Sequence, residues 1–193
     1  MSSIQVSTFD VDFIERTETI IKYCLSKKDF SYDFTLLINC LLGLLILPKE
    51  YYEKKELFNT YKLSTTISRL PDEIKELFSN DEAPEHVKDI IFSSKKCIIY
   101  NKQEKEVENN MHCSFFTVLN HLRNAVSHCH ITPVKFSDKD EWEGIILEDI
   151  NPCTEKTTMK IYLTEPEVKY LVNFIIEQYK QARNYKKLEG CYE

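Results

Sequence analysis

Residues 114–130 read SFFTVLNHLRNAVSHCH, and the fold is organised around them. On an α-helix, at about 100° per residue, the side chains divide into two faces. Phe115, Val118, Leu119, Leu122, Ala125, Val126 and Cys129 gather on one side and form a core-facing stripe. Thr117, Asn120, His121, Arg123, Asn124, Ser127 and His128 occupy the other. That second face carries no acid and no lysine, whereas a helix face that only meets water is normally filled with Glu and Lys. Asn, His, Arg and Ser together suit a face that meets a partner or a substrate.

Spacing refines the picture. Asn124 and His128 stand four apart and are surface neighbours, and His121 lies one turn before Asn124 on the same side. Arg123 and His128 stand five apart, roughly 140° around the axis, and flank the polar face. Groups so separated can grip opposite sides of one small object, such as a phosphodiester.

The hexapeptide Arg123-Asn124-Ala125-Val126-Ser127-His128 resembles the signature of the HEPN superfamily: an Arg, a polar neighbour and a following His. HLRNAVSH and, earlier, DFTLLINCLLGLLILPKE resemble one bacterial branch of it. The resemblance implies a mainly α, up-and-down helical bundle, a homodimer and often metal-independent cleavage of RNA, although some members are inactive binding or partner proteins. It also implies a toxin of a toxin–antitoxin pair or a phage-defence effector, with an antitoxin protein as a further partner. On this reading residues 1–193 form one HEPN-like domain, with a small β-hairpin appended at 131–163 before the last helix.

Composition bounds the rest. A chain of 193 residues with 42% apolar content has ample material for a core. Only three glycines are present, and neither GxGxxG nor GxxxxGK[ST] occurs, which excludes a Gly-rich phosphate loop. The net charge of −6 argues against a protein that coats nucleic acid indiscriminately. Residues 109–137 nevertheless contain no Asp or Glu while holding Arg123, Lys135 and four of the five histidines. Such a window can admit a phosphate locally, or can simply be a buried helix and strand where acids are scarce. Seven cysteines without a CxxC read as reduced thiols used as small hydrophobes. MSSIQVSTFD lacks the pattern of a signal peptide, and the run from Phe34 to Leu47 is too short for a bilayer, so a cytoplasmic protein that does not enter the membrane is expected.

Along the chain, Phe13, Ile14, Thr17, Ile20, Ile21, Cys24 and Leu25 predict an amphipathic helix. A second, apolar nearly all round, runs from Phe34 to about Leu47, where Pro48 ends it or bends it on toward Phe58. Asn39 inside it is costly to bury unless hydrogen-bonded; it reads as structural, or as a neighbour of the Arg123/His128 face. A helix is expected from Pro71 to Phe78 and a helix-like piece from Pro84 to Tyr100, with Cys97–Tyr100 as a short strand in the alternative. Lys102 to Asn110 reads as a charged, mobile link or as the solvated first turns of the central helix. Val134–Phe136, Gly144–Ile150 and Thr157–Leu163 look extended around a turn at Asn151–Lys156. Thr164-Glu165-Pro166-Glu167 is a capping box that opens a closing helix to about Tyr185, with a frayed tail beyond.

RNA is cleaved when its own 2′-hydroxyl attacks the adjacent phosphorus. The route needs a base, charge on the phosphoryl oxygens and help for the leaving 5′-oxygen; it needs no metal or cofactor. Imidazole titrates near neutrality and guanidinium forks onto phosphate oxygens. His128 is therefore assigned as general acid or base, Arg123 as phosphate clamp and Asn124 as positioning group, with His121, Asn120 and Ser127 contacting the RNA. A homodimer would supply the second imidazole. Three other readings compete. In the first, Arg123 and His128 only tie a helix end to its neighbours. His121, His128, His130 and Cys129 could hold zinc, although His128 and His130 point about 160° apart on a helix. The chain could also be a non-catalytic HEPN dimer, a regulatory module that binds a nucleotide, RNA or a protein.

Overall fold

The computed structural model describes residues 9–27, 33–53, 65–101, 103–135 and 142–188. The chain separates into two compact units, Met1–Lys62 with Val168–Glu193, and Leu63–Glu167.

The first unit is helical. Helix α1, Phe9–Leu25, buries Ile14, Thr17 and Ile21, the positions its three-and-four spacing selects. Ile20, expected on the same stripe, is half exposed. Helix α2, Asp33–Glu53, passes through Pro48 rather than stopping there, and the predicted extension toward residue 58 lies outside the described residues. It buries Phe34, Leu37, Cys40, Leu41, Leu44 and Leu45, while Asn39 faces outward and needs no buried partner. The chain closes with helix α6, Glu165–Leu188, whose Val168, Leu171, Val172, Ile175, Ile176 and Tyr179 are buried. Tyr179 donates its hydroxyl to the carbonyl of Leu44 at 3.2 Å, and Lys180 pairs with Glu18 at 2.6 Å, so both long-range ties run back from α6. No helix among the described residues is long and apolar enough to cross a membrane.

The second unit overturns the expected helical bundle. Its centre is a four-stranded antiparallel sheet in the order β1-β4-β3-β2, with β1 at Cys97–Ile99, β2 at Ile131–Lys135, β3 at Trp142–Ile150 and β4 at Thr157–Thr164. The protein is mixed α and β, and the predicted hairpin is the middle of a sheet rather than an appendage. The physical reason is burial. Ile145, Ile146, Leu147, Ile161, Tyr162 and Leu163 are all buried, so the hairpin has two apolar faces to cover. An isolated two-stranded ribbon cannot do this. Cys97–Ile99 adds beside β4 and Ile131–Lys135 beside β3.

Period-two alternation sorts the faces. Ile146, Val134 and Tyr162 cluster with Ala83, Val87 and Ile91, the last two from helix α4, Glu85–Ile91. Ile145, Leu147 and Asp149 point the other way, toward helix α5, Phe115–Ser127. Helix α3, Asp72–Leu77, follows Pro71 as predicted and buries Ile74 and Leu77. Gly144 lies where a Cβ would come within 2.5 Å of the Leu163 carbonyl oxygen, so the strands meet there only because no side chain intervenes.

Candidate active site on helix α5

Ser114 caps α5 by accepting from the Thr117 backbone N–H at 3.4 Å. The helix buries Phe115, Val118, Leu119, Leu122, Ala125 and Val126, the apolar stripe read from the sequence. It ends one residue earlier than the motif. His128 is its C-cap, and Cys129 adopts a left-handed conformation with φ of 58°. The Cys129 N–H then bonds the Val126 carbonyl at 3.1 Å and the His130 N–H the Ala125 carbonyl at 2.8 Å. This is a Schellman ending with cysteine where glycine is usual. Cys129 is thereby turned out of the apolar stripe and is exposed.

The polar face divides in two. Its middle is braced by a residue the sequence reading missed, Asp149 on β3, which is 5% exposed. His121 Nδ1 lies 2.7 Å from Asp149 Oδ2, and Thr158 Oγ1 on β4 donates to the same oxygen at 2.7 Å. Asn124 Nδ2 donates to it at 3.4 Å, while Asn124 Oδ1 accepts from Arg123 Nη1 at 2.9 Å. The register shifts between Asp149 and Ile150, a bulge of the kind that re-aims side chains.

Burial pushes the Asp149 carboxyl up, but the hydrogen bonds from His121, Thr158 and Asn124 outweigh it and hold it below the ordinary carboxylate range. A charged carboxylate only accepts, so His121 carries its proton on Nδ1. The ring's orientation and tautomer are thus fixed by the sheet. The acid-free window of the sequence receives its acid from 25 residues beyond Asn124.

The far end of the face is open. Ser127 and His128 are exposed, and the His128 and His130 rings lie 6.0 Å apart at 34°. The helical projection placed these two rings far apart; they approach because the helix has already ended. Asn120 is half-buried and its Oδ1 is enclosed without a hydrogen-bond partner. Of the six predicted site residues, Arg123, Asn124 and His121 are joined through Asp149, while Asn120, Ser127 and His128 stand outside that network. Among the described residues no group of three or more His, Cys, Asp or Glu is placed to hold a metal ion, so the alternative zinc set is not assembled there.

A profile of the family described as HEPN pEK499 p136 matches residues 1–186 of this sequence. The chain belongs to that HEPN family. No curated protein and no solved structure matches it. In this HEPN chain the Arg-Asn-x-x-x-His motif occupies the last turn and C-cap of α5, with Arg123 and Asn124 half-buried and His128 exposed.

His121 also lines a cleft of about 590 Å³ that the other predicted residues do not reach. Its walls come from α5, the end of β1 with the loop after it, and the turn between β3 and β4. The signal that could have revealed Asp149 was present in the sequence. In Gly144–Ile150, alternation places Asp149 on the face of Ile145 and Leu147, and a lone acid on a buried strand face demands partners.

Proposed function

We propose that this HEPN protein is a metal-independent endoribonuclease that acts as a homodimer, a toxin or phage-defence effector held in check by an antitoxin protein. The observation that carries the reading is the braced guanidinium. Arg123 donates to Asn124, and Asn124 is itself tied to the buried carboxylate of Asp149. A guanidinium tethered in this way is positioned before substrate arrives, which lowers the entropic cost of gripping a phosphate.

In the proposed reaction the 2′-oxygen bonds to phosphorus as the bond from phosphorus to the 5′-oxygen breaks. His128 accepts the 2′-hydroxyl proton or donates one to the leaving oxygen, and the imidazole of the second subunit takes the other role. Arg123 stabilises the charge that builds on the phosphoryl oxygens. The products are a 2′,3′-cyclic phosphate and a free 5′-hydroxyl. His121, Asn120 and Ser127 would contact the flanking RNA.

The test is incubation of purified protein with total RNA in EDTA, followed by mapping of fragment ends. Cyclic-phosphate ends that disappear in Arg123→Ala and His128→Ala are expected; identical fragments from wild type and both variants would remove the assignment. One observation favours the second reading, a non-catalytic binding module: His128 stands apart from the cleft that His121 lines. Expression in bacteria separates the two. Growth arrest abolished by His128→Ala marks the enzyme, and harmless expression of the wild type marks the binder.

A further inference from the structure

The cleft beside α5 has a composition of its own. Ile99 and Val107 supply apolar wall and Tyr100 an aromatic ring, while Thr117 and Thr158 complete the lining, the Thr158 hydroxyl being committed to Asp149. His121 enters with Nδ1 already committed to Asp149, which leaves Nε2 as the ring nitrogen able to accept a hydrogen bond from an occupant, or to donate one when the ring is protonated. Lys156 and Glu104, both at the cleft, form an ion pair with each other, so it presents little net charge.

That lining suits a flat, uncharged, hydrogen-bonding heterocycle better than it suits a phosphate. The charge of the whole chain argues the same way. With 31 acids against 25 Lys and Arg, long-range attraction to a phosphate backbone is weak, and affinity for RNA must come from contacts with bases. Unpaired bases are the parts of RNA that proteins read by stacking and edge hydrogen bonds. The cleft is also tied to the motif: one oxygen of Asp149 accepts from His121 in the cleft and from Asn124, which holds Arg123.

We infer that the cleft lined by Tyr100, Val107, Thr117, His121 and Thr158 is a subsite for one unpaired RNA base on the strand whose phosphate Arg123 engages. The inference rests on the ribonuclease reading for the strand's position, but not for the pocket. A base seated there stacks on Tyr100 and meets His121 Nε2 with its edge. It gives an acidic protein a sequence preference next to the cut.

The test uses the full chain carrying His128→Ala, so that RNA survives, and four fluorescein-labelled hexamers of rA, rC, rG or rU read by anisotropy. One hexamer is expected to bind at least about tenfold more tightly than the weakest, because stacking accepts any base while the edge presented to His121 Nε2 differs between bases. Tyr100→Ala and the cleft-filling Thr117→Trp should each erase that preference while keeping wild-type circular dichroism. Equal binding of all four hexamers, or a preference that survives both substitutions, overturns the subsite. A free nucleoside that competes as well as the hexamer also overturns it, in favour of a pocket for a free effector. The two readings fail separately. A hexamer preference in a protein that never cuts RNA keeps the base pocket and removes the nuclease; cutting without any preference does the reverse.

Discussion

The middle and the end of α5 carry the same kinds of side chain and are treated in opposite ways. His121 and Asn124 are pinned by a buried carboxylate from the sheet, with Arg123 held at second hand. Two turns beyond His121, His128 is exposed at a helix end whose reversal depends on a left-handed cysteine. One region spends polar groups on rigidity and the other leaves them available. A helix face rich in Asn, His and Arg is therefore not uniformly a functional face, because part of it serves as its own support.

The largest separation between the regions should appear in His128→Ala. Loss of a general acid or base lowers a rate by about 10²–10⁴-fold. The exposed imidazole contributes little to the fold, so stability should stay within about 0.5 kcal/mol of wild type. Cleavage assays beside urea melts check the pair of expectations, and a large loss of stability would show that the helix end is structural after all. Asp149→Ala should behave in the opposite sense. It leaves His121, Thr158 and Asn124 without their common acceptor, a cost of about 2–3 kcal/mol in a urea melt. Wild-type stability in that variant would mean the network is decoration.

Acid titration sharpens the contrast next. The Asp149 carboxyl is lowered on folding, so its stabilisation is present above the ordinary Asp range and is lost as pH falls through the lowered native value. Asp149→Asn should flatten that part of the stability profile, whereas His128→Ala should leave it unchanged. Melting temperatures measured from neutral to acidic pH provide the comparison; a parallel decline in wild type and Asp149→Asn would place the acid sensitivity elsewhere.

The sequence made some of this legible and hid the rest for identifiable reasons. The buried stripe from Phe115 to Val126 was readable because a 3.6-residue period is a local property. Strands β3 and β4 were visible for the same reason, as alternation around an obvious turn. Val134–Phe136 also read as extended, and Cys97–Tyr100 did so in the alternative, but their pairing was not legible, because the register of Cys97 with Ile161 joins residues 64 apart and no local pattern announces it. That omission turned a sheet into an appendage and produced a helical bundle on paper. Within the site, spacing and resemblance singled out Arg123, Asn124 and His128, whereas Asp149 arrives from another element and was placed only within an extended stretch. Cys129 was assigned to the core because nothing before it, neither glycine nor proline, signals that the helix has finished.

Cys129 supplies the smallest and most specific test. Its φ of 58° places a Cβ where L-residues are strained, at a cost of roughly 1–2 kcal/mol, and glycine occupies that position in most helices that end this way. Cys129→Gly should relieve the strain, partly offset by the greater freedom glycine has when unfolded, for a net gain of about 0.5–1 kcal/mol. For a chain of this size that is a rise of about 1–4 °C in melting temperature. The two hydrogen bonds that close the helix are made by backbone atoms, so the substitution keeps them and leaves His128 at the C-cap. Cleavage should therefore persist while stability rises, and a thermal melt with a parallel RNA assay measures both. A lower melting temperature would show that the thiol packs usefully beside the two imidazoles. Unchanged stability with lost cleavage would instead make the stiffness of the turn, rather than the imidazole alone, part of what the open end of α5 provides.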